Sequence, residues 1–110
     1  MNDMMNKTFL GACCLMIAMS APALAGDADA GKKKSQTCAA CHGPDGNSAA
    51  PDFPKIAGQH YDYLLKALKD YKSGARKSPI MAPLVANLTQ RDMEDLAAWY
   101  SSQRGLVTKY

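Results

Sequence analysis

Cys38 and Cys41 stand two residues apart with His42 directly behind the second, and this short run constrains the fold more than any other feature of the chain. The chain has 110 residues and four cysteines, and the other two, Cys13 and Cys14, fall in an N-terminal stretch that reads as removable. Lys7 gives that stretch a positive start, and Phe9 to Met19 is one apolar run. Ser20-Ala21-Pro22 breaks it, and Ala23-Leu24-Ala25 has the small-x-small form of a signal-peptidase site. The run is shorter than the roughly 20 apolar residues that a spanning helix needs. Residues 1–25 are therefore expected to be a cleaved export signal rather than a retained anchor. Leu10-Gly11-Ala12-Cys13 resembles a lipoprotein cleavage box only faintly, because it would leave a very short apolar stretch after Lys7.

What remains, residues 26–110, is expected to form one domain. A chain of that size builds only a thin apolar core and usually needs a staple. Export to an oxidising compartment favours disulfides. One bridge across a two-residue gap, however, constrains almost nothing, since the benefit grows with the length of the closed loop. The cysteine pair must therefore hold something other than itself.

Charge says less. Thirteen Lys and Arg face ten Asp and Glu, a net charge of +3. Lys32-Lys33-Lys34 is the only dense basic run and reads as a solvated helix face, while the modest overall basic excess could help orient an acidic partner. No basic stripe with interleaved aromatics occurs, so nucleic acid is not an expected partner.

Helices and loops are expected along residues 26–110, and no strand. Asp27 to Ala40 reads as a first helix, with acids at its start and lysines further on. Gly43 to Gly58 is a loop rich in Gly, Pro, Asp and Asn. His60 to Ser73 is strongly periodic, with Tyr61, Leu64, Leu65, Leu68 and Tyr71 on one face, and Asp62 is expected to pair with Lys66. Gly74 stops it. Ala75 to Asn87, broken by Pro79 and Pro83, reads as a second loop. Thr89 with Asp92 then opens a last helix whose buried face is Met93, Leu96, Ala97 and Tyr100, ending at Gly105. Loops this long in so small a domain usually surround something functional.

Cys38-Ala39-Ala40-Cys41-His42 indicates what they surround, because C-x-x-C-H is the attachment signature of c-type haem. Two cysteines three positions apart near a helix end can each form a thioether with one porphyrin edge, and the following histidine is then held at the iron. A redox dithiol would need a strand before it and a βαβ context. Zinc could call on Cys38, Cys41, His42 and His60, but adjacent Cys41 and His42 are awkward ligands for a tetrahedral ion.

The chain resembles the class I bacterial cytochromes c, especially the single-haem c553/c554 type and one half of the dihaem cytochrome c4. Gly31-Lys32, Cys38 to Gly46, Pro54 to Gln59, Tyr63-Leu64, Gly74-Ala75-Arg76, Pro79-Ile80-Met81 and Leu88-Thr89 through Trp99-Tyr100 carry the resemblance. It implies an all-α, small cytochrome c fold, with three main helices and long loops wrapped around one covalent haem c. It also implies a sixth iron ligand. Residues 26–110 hold two methionines, and Met93 falls on a buried helix face, which leaves Met81 in the SPIMAP loop. His/Met ligation suits an electron carrier; His60, at a helix start, is the competing ligand and reads better as a surface or capping residue. By the same resemblance the carbonyl of Pro54 would orient His42, with Pro51 as the nearby alternative. Gly31 would allow the first and last helices to cross against Trp99 or Tyr100. Arg76 would meet a haem propionate or remain solvated, and Gln59, Tyr63 and Tyr71 would line the pocket without chemistry of their own.

The expected function is a periplasmic single-electron carrier, not an enzyme. It would be a monomer that docks transiently with a reductase and an oxidase and does not insert into the membrane. The open alternatives are a haem subunit of a larger oxidoreductase, or a gas-binding or catalytic haem protein if Met81 does not bind iron. No nucleophile–base–orienter set or carboxylate pair supports catalysis by side chains.

Overall fold

The computed structural model describes residues 26–107 together with Gly11, Cys14 and Met16, so the expected export signal lies outside the described residues apart from those three positions. Five helical segments follow one another: α1 (Ala28–Lys34), α2 (Gln36–His42), α3 (Tyr61–Ser73), α4 (Met81–Val85) and α5 (Gln90–Ser101). No strand occurs among the described residues, and no described helix is long and apolar enough to cross a membrane. The fold is all-helical.

The expected first helix is two helices. Ser35 separates them, because its hydroxyl donates back to the Lys32 carbonyl at 2.7 Å while its own carbonyl accepts from the Cys38 and Ala39 amides, each at 2.9 Å. A serine that bonds its own backbone in this way competes with the regular ladder. The helix then runs on past Ala40 to His42, where Gly43 caps it. The second expected loop, 75–87, also contains a helix, α4. Pro83 is its third residue and costs nothing there, since the first N–H groups of a helix have no intrahelical partner anyway. Ser78 Oγ accepts from the Met81 amide at 3.0 Å and so caps the turn that carries Met81.

The last helix opens as expected. Thr89 Oγ1 accepts from the Asp92 amide at 3.1 Å, and Asp92 returns the contact to the Thr89 amide at 2.9 Å. It ends at Ser101, four residues before Gly105, with Ser102 as its cap. Met93, Leu96, Ala97 and Tyr100 are all buried. On α3 only Leu64 is fully buried; Tyr61, Leu65 and Leu68 are partly buried against the cluster of Leu64, Leu96, Ala97 and Tyr100. Lys66 pairs with Asp70 rather than with the expected Asp62.

Helix α1 crosses α5 at Gly31. A methyl group there would sit 1.9 Å from the Asp95 carbonyl oxygen and 2.8 Å from Trp99 Cβ, so only hydrogen fits. Around this contact the lysine run proves to be more than a solvated face. Lys32 Nζ lies 5.5 Å from the centre of the Trp99 ring. Lys34 Nζ bridges Asp92 at 2.9 Å and Asp95 at 2.6 Å, and Asp95 Oδ1 also accepts from the Asp27 amide at 2.8 Å. Asp95 is only 2% exposed. Burial pushes its carboxyl up, but the hydrogen bonds from Lys34 and the Asp27 amide outweigh that and hold it below the usual range. The Thr89 amide, followed by Lys34, brings Asp92 down to about 2.

Two outcomes follow for stability. Gly31→Val must push α1 off α5 and should destabilise the fold by about 1–3 kcal/mol or more, read by denaturant unfolding. The two aspartates have folded values below their unfolded value of about 3.9, so their contribution is present above that pH and is lost as the pH falls toward about 2. Lys34→Met should therefore be less stable than the wild type at pH 7, and the gap should narrow as the pH falls from about 4 to about 2. A gap that stays constant to pH 2 would show that the lysine acts only through packing.

Candidate functional site

Helix α2 brings Cys38 and Cys41 to one face at i,i+3 spacing and ends on His42. Both cysteines are half-buried and neither is in a disulfide. Burial pushes the Cys38 thiol up, although a contact with Tyr100 partly opposes this. No strand precedes α2 among the described residues, so the strand-led context that a thioredoxin-like dithiol needs is missing there. Nor do Cys38, Cys41, His42 and His60 assemble a zinc site, because among the described residues no three His, Cys, Asp or Glu side chains converge in a metal-binding group.

His42 is buried, and its Nδ1 lies 2.8 Å from the Pro54 carbonyl oxygen. A carbonyl can only accept, so the ring proton sits on Nδ1 and Nε2 keeps its lone pair free for a metal. The partner is Pro54, not Pro51. The loop that presents it is tied down on both sides. The Ile56 and Ala57 amides donate to the Gly46 carbonyl at 2.9 and 3.1 Å, and the Gly58 amide donates to the Tyr100 carbonyl at 2.9 Å. Leu106 closes back onto Ala57 at 2.7 Å, while Asn47 Nδ2 reaches the Arg104 carbonyl at 2.7 Å. The end of α5 thus fixes the loop that orients the histidine.

Cys38, His42, Pro54, Arg76 and Met81 all border one cavity of about 380 Å³, walled by Leu64 and Leu68 of α3 and by Leu96 and Ala97 of α5. Cys41 lies one turn on along α2 and does not border it. Met81, the first residue of α4, is half-buried, whereas Met93 is 4% exposed within α5 and away from the cavity. His60 occupies the N-cap position of α3, is exposed, makes no side-chain capping bond and does not border the cavity. Tyr63 and Tyr71 lie on the cavity wall beside Arg76, and Gln59 also borders it.

These residues fit a c-type haem. The cavity is in the size range of ligand sites and is mostly apolar. The side chains that border it include the His42 imidazole with Nε2 free, the Met81 thioether and the Cys38 thiol, with Cys41 one turn on along the same helix. At its wall the Tyr100 hydroxyl is buried without a hydrogen-bond partner, and burial pushes that phenol up. Sequence reasoning put Leu96 and Ala97 on a buried helix face without assigning them to the cavity wall, and it missed Asp95, which bonds the Asp27 amide and Lys34 beside the α1–α5 crossing. A polar residue between Met93 and Leu96 on the apolar face of α5 is the signal that could have revealed Asp95.

Comparison with known proteins agrees with the geometry. The family model described as cytochrome c matches residues 28–103. The chain is 52% identical over 80 residues to cytochrome c4 of Pseudomonas aeruginosa, covering 73% of this chain and 40% of that one. It is 46% identical over 82 residues to cytochrome c-554(548) of Halomonas halodenitrificans, covering 72% of this chain and 99% of that one. Among solved structures, reduced recombinant cytochrome c4 from Pseudomonas stutzeri superposes with a TM-score of 0.72 at 50% identity, over 76% of this chain and 48% of that one. The chain spans about half the length of the cytochrome c4 relatives it matches, between 40% and 53%.

Ala97 is fully buried on the cavity wall. Ala97→Phe should exclude the porphyrin while conserving apolar character. The expected result is a large loss of haem per chain, read by haem staining against total protein. Undiminished loading would show that the group lies elsewhere.

Proposed function

From the premise that the chain belongs to the cytochrome c family, we propose that it is an electron carrier in which Cys38 and Cys41 would hold one haem covalently and His42 and Met81 would hold its iron. When bound, the haem supplies a one-electron couple. The observation that carries this reading is the convergence of His42 and Met81, from separate helices, on one apolar cavity, with the His42 Nδ1 proton engaged by Pro54. Pro54 keeps the ring from turning and makes its other nitrogen a better donor. Met81, seated by Ser78, offers a soft sulfur that favours the reduced state.

With both His42 and Met81 engaged, the bound group would be closed to a substrate, so the chain would move electrons and not transform molecules. Leu64, Leu68, Leu96 and Ala97 keep water from the site, and their packed helices need little rearrangement when the charge changes. The exposed cavity edge beside Ser78 to Pro83 is where partners would dock, through the small contact typical of transient redox complexes. The export signal read in residues 1–25 supports a periplasmic site for this exchange, where the carrier would work as a monomer with a reductase and an oxidase as its partners.

The visible spectrum of protein exported with its haem-attachment machinery tests the ligand assignment. A low-spin spectrum should carry a weak far-red methionine–iron band that disappears in Met81→Ala. A high-spin wild-type spectrum that shifts readily with carbon monoxide would overturn it in favour of a gas-binding or catalytic haem.

A further inference from the structure

Tyr100 brings to the cavity wall a buried hydroxyl that neither axial ligand uses. The residue is 4% exposed, and its hydroxyl oxygen is shut off from solvent without a hydrogen-bond partner. The ring that carries it is fixed from several sides. A methyl group on Gly46 would stand 2.8 Å from Tyr100 Cδ1, so the backbone of that loop presses on the ring. The Tyr100 carbonyl accepts from the Gly58 amide at 2.9 Å, and Leu64, Leu96 and Ala97 complete the packing. A hydroxyl buried without a partner is costly, and phenylalanine in the same place would carry no such cost. The oxygen therefore calls for a role.

Two polar side chains lie beside it, Cys38 and Ser35. Ser35 has committed its hydrogen to the Lys32 carbonyl at 2.7 Å and has none to give. The phenol keeps its own hydrogen to donate. Of the two acceptors, Cys38 packs against the same buried cluster and borders the same cavity, whereas Ser35 is not on the lining. The cysteine pair is thus unequal: Cys38 stands on the cavity with a buried O–H beside it, and Cys41 lies one turn on and outside the lining. A thiol sulfur is a weak acceptor, but it becomes a strong one as it gains negative charge.

We propose that Tyr100 is a positioning residue for the covalent bond at Cys38: its hydroxyl donates to the Cys38 sulfur, aims it into the cavity and steadies it while the bond forms. The assignment rests on the haem reading above and divides the labour of the two cysteines. The bond it serves needs no oxidant or reductant. The sulfur–hydrogen bond of Cys38 and the π bond of a vinyl group break, and one carbon–sulfur and one carbon–hydrogen bond form. Negative charge gathers on the sulfur as its hydrogen leaves, and a donor already fixed in place is worth most at that moment. Tyr100 keeps its own proton throughout. Cys41 bonds without its help.

Tyr100→Phe keeps the ring and removes only the hydroxyl, so single-cysteine chains exported with the haem-attachment machinery test the assignment. In Cys41→Ala, where Cys38 alone can bond, adding Tyr100→Phe should lower covalent haem per chain several-fold, read by haem staining against total protein. In Cys38→Ala the same change should leave loading as it was. In the chain with both cysteines, Tyr100→Phe should shift the reduced pyridine haemochrome band to longer wavelength, the mark of an unreacted vinyl group, and should leave Cys38 open to alkylation. Loading unchanged by Tyr100→Phe in Cys41→Ala would overturn the assignment. Equal losses in both single-cysteine chains would also overturn it, because the hydroxyl would then serve the fold and not one sulfur. If neither single-cysteine chain binds haem, the two-cysteine chain decides, and an unshifted band there would overturn the assignment while leaving the haem reading standing. A wild-type chain that acquires no covalent haem would overturn both.

Discussion

Leucines and an alanine from α3 and α5 meet around about 380 Å³ that their side chains do not fill, and the rest of the structure answers to that space. The buried cluster is four residues, Leu64, Leu96, Ala97 and Tyr100. So small a core gives little driving force against the entropy of ordering the chain. On the proposed reading, a rigid porphyrin bonded through Cys38 and Cys41 would both fill the space and tie α2 to it. The same group that gives the chain its chemistry would thereby complete its interior.

The protein divides the work of holding that space open. The α1–α5 crossing at Gly31, with the Lys34–Asp95 bridge beside it, forms a rigid frame remote from the axial residues. That frame fixes the end of α5, and the Gly58 and Leu106 backbone bonds carry its position into the loop that presents Pro54. His42 thus receives its orientation from a long chain of contacts, although it sits one residue from Cys41. Met81 is placed differently, as the first residue of a short helix, with its amide donating to Ser78 Oγ. The far side of the site depends less on the frame and more on local turn chemistry.

Much of this was legible in the residues. The capping box at Thr89 and Asp92, the glycine stop at Gly74 and the apolar face of α5 each rest on local rules, and the structure follows them. Of the C-x-x-C-H run, Cys38 and His42 border the cavity, while Cys41 lies one turn on along α2 and outside its lining. Where the reading departed from the structure, the cause was a competing interaction. Ser35 interrupts the first helix by bonding Lys32, and Pro83 sits where a helix tolerates proline, so punctuation alone mislocated both boundaries. The pairing of Lys34 with Asp92 and Asp95 could not be read at all, because it joins residues about 60 positions apart and depends on a helix crossing. The contacts of Arg76 with Tyr63 and Tyr71 were equally hidden. Their spacing is that of an ordinary helix and turn until the left-handed Gly74 folds one onto the other.

The most direct test of this account compares the exported chain made with and without its haem-attachment machinery, by circular dichroism and thermal melting. If the cofactor completes the core, the haem-free chain should lose most of its helical signal and melt without cooperativity, while the loaded chain melts in one sharp transition. A haem-free chain with the same helical content and a cooperative melt would contradict the claim that this interior is built around the group it carries.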